Sequence, residues 1–157
     1  EKAYGEALNI VRYSSQRGLY LFGGNRVGKS HLAAWIITEW CKYNKSTDAL
    51  YANFPDLMFA IYNNMGIGWG NQEVIQKAIN TRLLVLDDIG AENTNGWTNY
   101  NLYLIVNGRY ERYGQTIVTT NYGRQKLAEK VGNRIVSRLS EMCEVVEITS
   151  EDKRIKS

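Results

Sequence analysis

The sequence predicts an α/β fold in three layers, with a five-stranded, mainly parallel sheet between two layers of helices. Two observations carry this. Short apolar runs alternate along the chain with longer segments of helical periodicity, the pattern of parallel strands joined by crossover helices. Between the first apolar run and the first of these helices stands Gly23-Gly24-Asn25-Arg26-Val27-Gly28-Lys29-Ser30. Glycines at both ends of a four-residue gap, then lysine and a hydroxyl residue, are the spacing of a phosphate-binding loop.

Taken in order, 18–22 (GLYLF) reads as a buried strand. Leu32, Trp35, Ile36, Trp40 and Tyr43 fall on one face of a helix over 29–43. A strand over 49–53 follows, then the single proline, Pro55, and a helix over 56–63. Three glycines in 64–71 predict a loop. Trp69 within it could stack on a base, but the reading favours packing on its own domain. Helices over 72–80, 98–113, 124–130 and 133–141 and strands over 82–87, 116–120 and 144–148 complete the alternation. The whole chain, 1–157, reads as one domain with no internal repeat.

The composition is that of an ordinary globular chain, 44% apolar and 22% charged. A formal charge of +3 permits contact with nucleic acid without arguing for it. Cys41 and Cys143 are far apart and lack a metal-type spacing, so both read as reduced thiols of a cytoplasmic protein. No early run resembles a signal peptide and none approaches membrane-spanning length, so no membrane partner is expected.

The loop residues suit phosphate chemistry. Glycines let successive amides converge on one point, and a helix start adds unpaired N–H groups and a positive dipole end. The nucleotide-binding stretch is therefore Gly24, Asn25, Arg26, Val27, Gly28, Lys29, Ser30 and His31. Lys29 brings a mobile charge to the β and γ phosphates. Ser30 offers an oxygen to Mg²⁺. The Arg26 side chain is assigned to solvent or a partner rather than to phosphate. His31, the only histidine, has no visible metal or triad partners.

Arg82 to Asp88 is an apolar run ending in two acids, and Thr116 to Asn121 is a further strand with a polar tip. The first resembles the Walker B element of phosphate-loop ATPases. On that likeness Asp87 holds Mg²⁺ and Asp88 orients and activates the attacking water. Aspartate stands where many such ATPases carry glutamate, so slow hydrolysis is expected. Asn121 resembles the sensor 1 position, where an amide aligns water without adding charge.

Several stretches together resemble one family: Gly28 to Ala33 (GKSHLA), Leu83 to Glu92 (LLVLDDIGAE), Ile117 to Tyr122 (IVTTNY), Asn133 to Met142 (NRIVSRLSEM) and Ser150 to Lys156 (SEDKRIK). They resemble the AAA+ domain of bacterial and phage replicative helicase loaders of the DnaC and DnaI type, and the related IstB transposition helpers. The resemblance implies a P-loop NTPase fold of the AAA+ kind, with the helical lid absent or minimal. It implies binding and hydrolysis of ATP to ADP with Mg²⁺, and self-assembly through a shared ATP site. The partners implied are a hexameric replicative helicase and single-stranded DNA. Arg134 matches the arginine finger that reaches a neighbouring subunit's ATP, and Arg154 matches sensor 2. Arg138 either supports the finger or forms an ion pair with Glu141 or Glu144. The loaders' N-terminal helicase-binding domain is not represented, so the chain is expected to be a fragment. Two rival functions remain: a transposition helper acting on double-stranded DNA, and a nucleotide-switched adaptor with negligible hydrolysis.

Overall fold

The computed structural model describes residues 2–13, 17–65, 70–91 and 93–149. In chain order the elements are α1 (Lys2–Tyr13), β1 (Gly18–Phe22), α2 (Lys29–Asn44), β2 (Ala49–Asn53), α3 (Phe54–Asn63) and α4 (Gly70–Asn80). Then follow β3 (Leu83–Ile89), α5 (Gly96–Glu111), β4 (Gln115–Thr120), α6 (Arg124–Val131), α7 (Asn133–Met142) and β5 (Cys143–Glu147). The sheet runs β2-β3-β4-β1-β5 and every neighbouring pair is parallel.

Both faces of the sheet are covered, which is why its strands are nearly continuously apolar. Leu19, Leu21, Leu83, Val85 and Ile117 pack on one side against α1 and α2, through Ala7, Ile10, Ala33 and Ile36. On the other side Tyr20, Leu84, Leu86 and Val118 meet the layer that supplies Ile61, Ile79, Leu102, Ile105 and Leu139. The predicted layers and parallel sheet are thus observed.

The bounds differ in instructive places. Helix α3 starts at Phe54 because the Asn53 side chain accepts from the Asp56 amide at 3.3 Å and Pro55 sits in the first turn. Helix α5 starts at Gly96 because Asn95 and Thr98 cap each other reciprocally. Strand β3 reaches Ile89, beyond the anticipated end at 87, because its pairing with β4 slips between Leu86 and Ile89. Helix α1 was not anticipated. Its buried residues Ala3, Ala7, Ile10 and Val11 form one stripe, and Tyr4 packs on Trp35 of α2 with ring centroids 5.4 Å apart. Trp69 lies outside the described residues.

One buried cation ties the end of the sheet opposite the glycine loop. Arg109 of α5 has no solvent exposure. It donates to the carbonyls of Ala78, Ile79 and Thr81 at 2.9, 2.9 and 2.8 Å. It also reaches the Gln115 carbonyl at 2.6 Å and the Thr116 hydroxyl at 2.7 Å. Desolvation lowers its pKa to about 10.

Candidate nucleotide site

The site begins where β1 ends. The Ile148 amide donates to the Phe22 carbonyl at 2.7 Å. A Cβ on Gly23 would lie 2.1 Å from the Ile148 carbonyl oxygen, so only glycine can leave β1 along this path. Arg26 (φ 61) and Gly28 (φ 101) then turn the chain through the left-handed region. Gly28 is the N-cap of α2 and offers no side-chain cap, so the first amides of α2 stay available to an anion.

Lys29 is buried, and its Nζ donates to the carbonyls of Gly23 at 3.0 Å and Gly24 at 2.7 Å. A third N–H remains for a ligand. Burial lowers the Lys29 pKa, while the charges of Asp88 and then Asp87 oppose that shift. The acids of β3 therefore act on the loop lysine.

Asp87 is buried and Asp88 half-buried. The irregularity in β3 puts Asp88 at φ 66, an unusual conformation for a residue other than glycine. Thr119 of β4 spans the two acids. Its hydroxyl donates to Asp87 Oδ1 at 2.6 Å and accepts the Asp88 backbone N–H at 2.9 Å. Sequence reasoning missed this link, because it depends on the register between β3 and β4. It also missed Tyr51, which shares a sheet face with Val85 and Asp87. Burial, then a side-chain hydrogen bond to Asp87, raise the Tyr51 pKa, and Ser30 pulls the other way. A tyrosine two residues before a strand's carboxyl end was the available signal.

Asn121 directly follows Thr120, whose partners are Phe22, just before the loop, and Ile89, just past the acids. The adjacent strands β1, β3 and β4 thus carry Lys29, Asp87 with Asp88, and Asn121 to one carboxyl edge, the ligand edge of such sheets. Gly24, Asn25, Arg26 and His31 are exposed there, and Arg26 has no side-chain partner among the described residues. These groups fit a nucleotide's phosphates: the amides at the start of α2, a lysine with a spare N–H, and a buried carboxylate held by Thr119 and Tyr51. Among the described residues no group of three or more His, Cys, Asp or Glu is placed to hold a metal ion by itself. Ser30 and Asp87 offer oxygen alone, which suits Mg²⁺, an ion that keeps several waters.

The arginines separate. Arg134, second in α7, is exposed, and its guanidinium has no partner among the described residues. Arg138 is held down instead. Its Nε donates to Asn107 Oδ1 at 2.7 Å, and its guanidinium lies 5.3 Å from the Tyr103 ring centre and 5.5 Å from that of Tyr110. Neither anticipated ion pair forms: Glu141 accepts from the Tyr110 hydroxyl at 2.6 Å, and Glu144 pairs with Lys2 and Arg17. Arg138 also donates to the Arg134 carbonyl at 3.3 Å, so it braces the turn that presents Arg134. Arg154 lies outside the described residues.

The fold and the glycine loop together define a nucleotide-binding domain of the AAA+ P-loop class. The family model described as IstB-like ATP binding protein matches residues 7–157, and the chain belongs to that family. The replicative helicase loader DnaC of Escherichia coli (strain K12) is 27% identical over 132 residues, 83% of this chain and 53% of its own length. The replicative helicase loader DnaI of Bacillus subtilis (strain 168) is 26% identical over 116 residues, 71% of this chain and 35% of its own length. The chain thus spans about half, or less, of these relatives. A crystal structure of the DnaC helicase loader superposes with a TM-score of 0.85 at 27% identity, over 94% of this chain and 89% of that one. Among the described residues no helix is long and apolar enough to cross a membrane.

Proposed function

We propose that this chain is the ATPase module of a replicative helicase loader, working on single-stranded DNA with a hexameric helicase as its partner. The observation that carries the reading is the split between a phosphate edge built on β1, β3 and β4 and an exposed Arg134. Lys29 and the loop amides would hold the phosphates, and Ser30 and Asp87 the cation. Mg²⁺ bound there would neutralise charge on the β and γ phosphates. Asp88 would take the proton of the attacking water, with Asn121 aligning it. Arg134, whose guanidinium has no partner among the described residues, would complete the site of a neighbouring copy. The shorter Asp88 side chain favours slow hydrolysis, below about 1 per second.

A second reading is favoured by the family itself, whose description is that of IstB-like proteins. On that reading the domain assembles on double-stranded DNA and serves transposition. Fluorescence anisotropy with labelled single- and double-stranded oligonucleotides at fixed salt separates the two. It is run with an ATP analogue, with ADP and without nucleotide, using Lys29→Ala as control. Nucleotide-dependent preference for single strands is the expected result. Preference for duplex favours the transposition helper. Nucleotide binding with no DNA binding and no turnover favours an adaptor switched by ATP alone.

A further inference from the structure

Asp87 and Asp88 do not hold their geometry unaided, and the group that holds it lies on the neighbouring strand. Thr119 has 1% of its surface exposed and Asp87 6%, so neither can turn to bulk water for a substitute partner. A hydroxyl has one proton to give. The Thr119 proton goes to Asp87 Oδ1 at 2.6 Å, which spends one carboxylate oxygen and fixes the plane of the group. The Thr119 hydroxyl oxygen in turn accepts the Asp88 amide at 2.9 Å, which holds the peptide that turns Asp88 to φ 66. Left-handed geometry at a non-glycine residue persists only where the surroundings impose it. Two residues later the same strand delivers Asn121.

The neighbouring Thr120 is a natural comparison. It is equally buried, but its hydroxyl donates at 2.7 Å to the Ile89 carbonyl and leaves the carboxylates untouched. One threonine serves the acids; the other serves the backbone just beyond them.

We propose that Thr119 is a positioning residue for the nucleotide site: its hydroxyl fixes Asp87 Oδ1, so that the carboxylate faces the cation position, and keeps Asp88 turned toward the water position. This rests on the ATPase reading above. It predicts that loss of the hydroxyl is felt through the cation more than through the nucleotide. Without the Thr119 donor, Asp87 keeps only its bond to Tyr51, and its carboxylate is no longer fixed where Ser30 can share a cation with it. The loop amides and Lys29, which meet phosphate directly, are unaffected.

The test titrates Mg²⁺ against a fluorescent ATP analogue bound to the wild type, Thr119→Val, Thr119→Ser and Thr120→Val, with turnover measured alongside. Thr119→Val is expected to raise the Mg²⁺ concentration for half-maximal effect about tenfold. Its kcat should fall by a similar factor, while metal-free affinity for the analogue stays within about twofold. Thr119→Ser keeps the hydroxyl and should restore both. Thr120→Val should lower the melting temperature without moving the Mg²⁺ requirement. If Thr119→Val does not fold, Thr119→Cys carries the comparison, because a thiol is a weak donor. Equal Mg²⁺ requirements in Thr119→Val and wild type, or equal shifts in Thr119→Val and Thr120→Val, overturn the inference and leave the ATPase reading standing. A wild type that binds no nucleotide overturns both.

Discussion

The ammonium of Lys29 donates to the Gly24 carbonyl at 2.7 Å, so the charge lies folded inside its own loop. Replacing it with alanine removes a cation buried at the loop. Lys29→Ala is expected to weaken ATP binding by about tenfold to a hundredfold, the scale of a charge-assisted hydrogen bond. Isothermal titration calorimetry with ATP and Mg²⁺ measures this. An unchanged dissociation constant would remove the loop from nucleotide binding.

Asp88 and Asp87 should separate in their effects. Asp88→Asn keeps the shape and removes the base, so turnover should fall by about a hundredfold or more with ATP affinity retained. Asp87→Asn should instead raise the Mg²⁺ requirement. Steady-state phosphate release paired with equilibrium binding distinguishes the two, and a fully active Asp88→Asn would argue against a hydrolytic role.

Arg134 and Arg138 provide a second contrast, between an exposed side chain and a fastened one. Arg134→Ala should abolish turnover without changing nucleotide affinity or melting temperature. Arg138→Ala should lower stability by about 1–2 kcal/mol, through loss of its stacking on Tyr103 and Tyr110 and its hydrogen bond to Asn107. Mixing Arg134→Ala with Lys29→Ala protein should restore part of the activity if sites are shared between copies. A monomer that turns over fully without Arg134 would count against shared sites.

Cys143 predicts an alkaline limit to stability. Burial pushes its thiol up to about 12, from an ordinary value of 9.0. The unfolded chain therefore loses its proton first as pH rises, so the stability from this group is complete below pH 9.0 and drains away toward about 12. Each pH unit in that window costs about 1.4 kcal/mol. Melting temperatures of wild type and Cys143→Ala should run parallel with pH below 9 and converge above it. Parallel curves throughout would mean that the thiol ionises freely in the fold.

Much of the site was legible because it is written locally. The stretch from Gly23 to Ser30 specifies a loop by residue type and spacing, and Asp87, Asp88 and Asn121 each sit at the end of an apolar run. What the sequence concealed depends on neighbours brought in from a distance. Thr119 looked like one more β-branched strand residue until the register with β3 set it against Asp87. Tyr51 looked like a strand aromatic until β2 paired beside β3. Arg138 was weighed between supporting the finger and pairing with a carboxylate, yet its guanidinium found two tyrosine rings on α5. Helix α1 escaped because two of its four buried residues are alanines, which mark a hydrophobic stripe only faintly.

The Arg109 cluster has a consequence for how the domain comes apart. One side chain ties the end of α4, the entry to β3 and the start of β4, so these pieces cannot loosen singly without stranding a buried charge. They should open as one cooperative unit in native-state hydrogen exchange, among the last amides to exchange. Helix α1, a terminal helix that packs through Ala3, Ala7, Ile10 and Val11 on the other face, should exchange earlier. The carboxyl edge where Lys29, Asp87 and Asn121 gather is pinned differently, by the hydroxyls of Thr119 and Thr120 reaching β3 one bond at a time. The sheet is thus riveted at its base and merely stitched at its working edge.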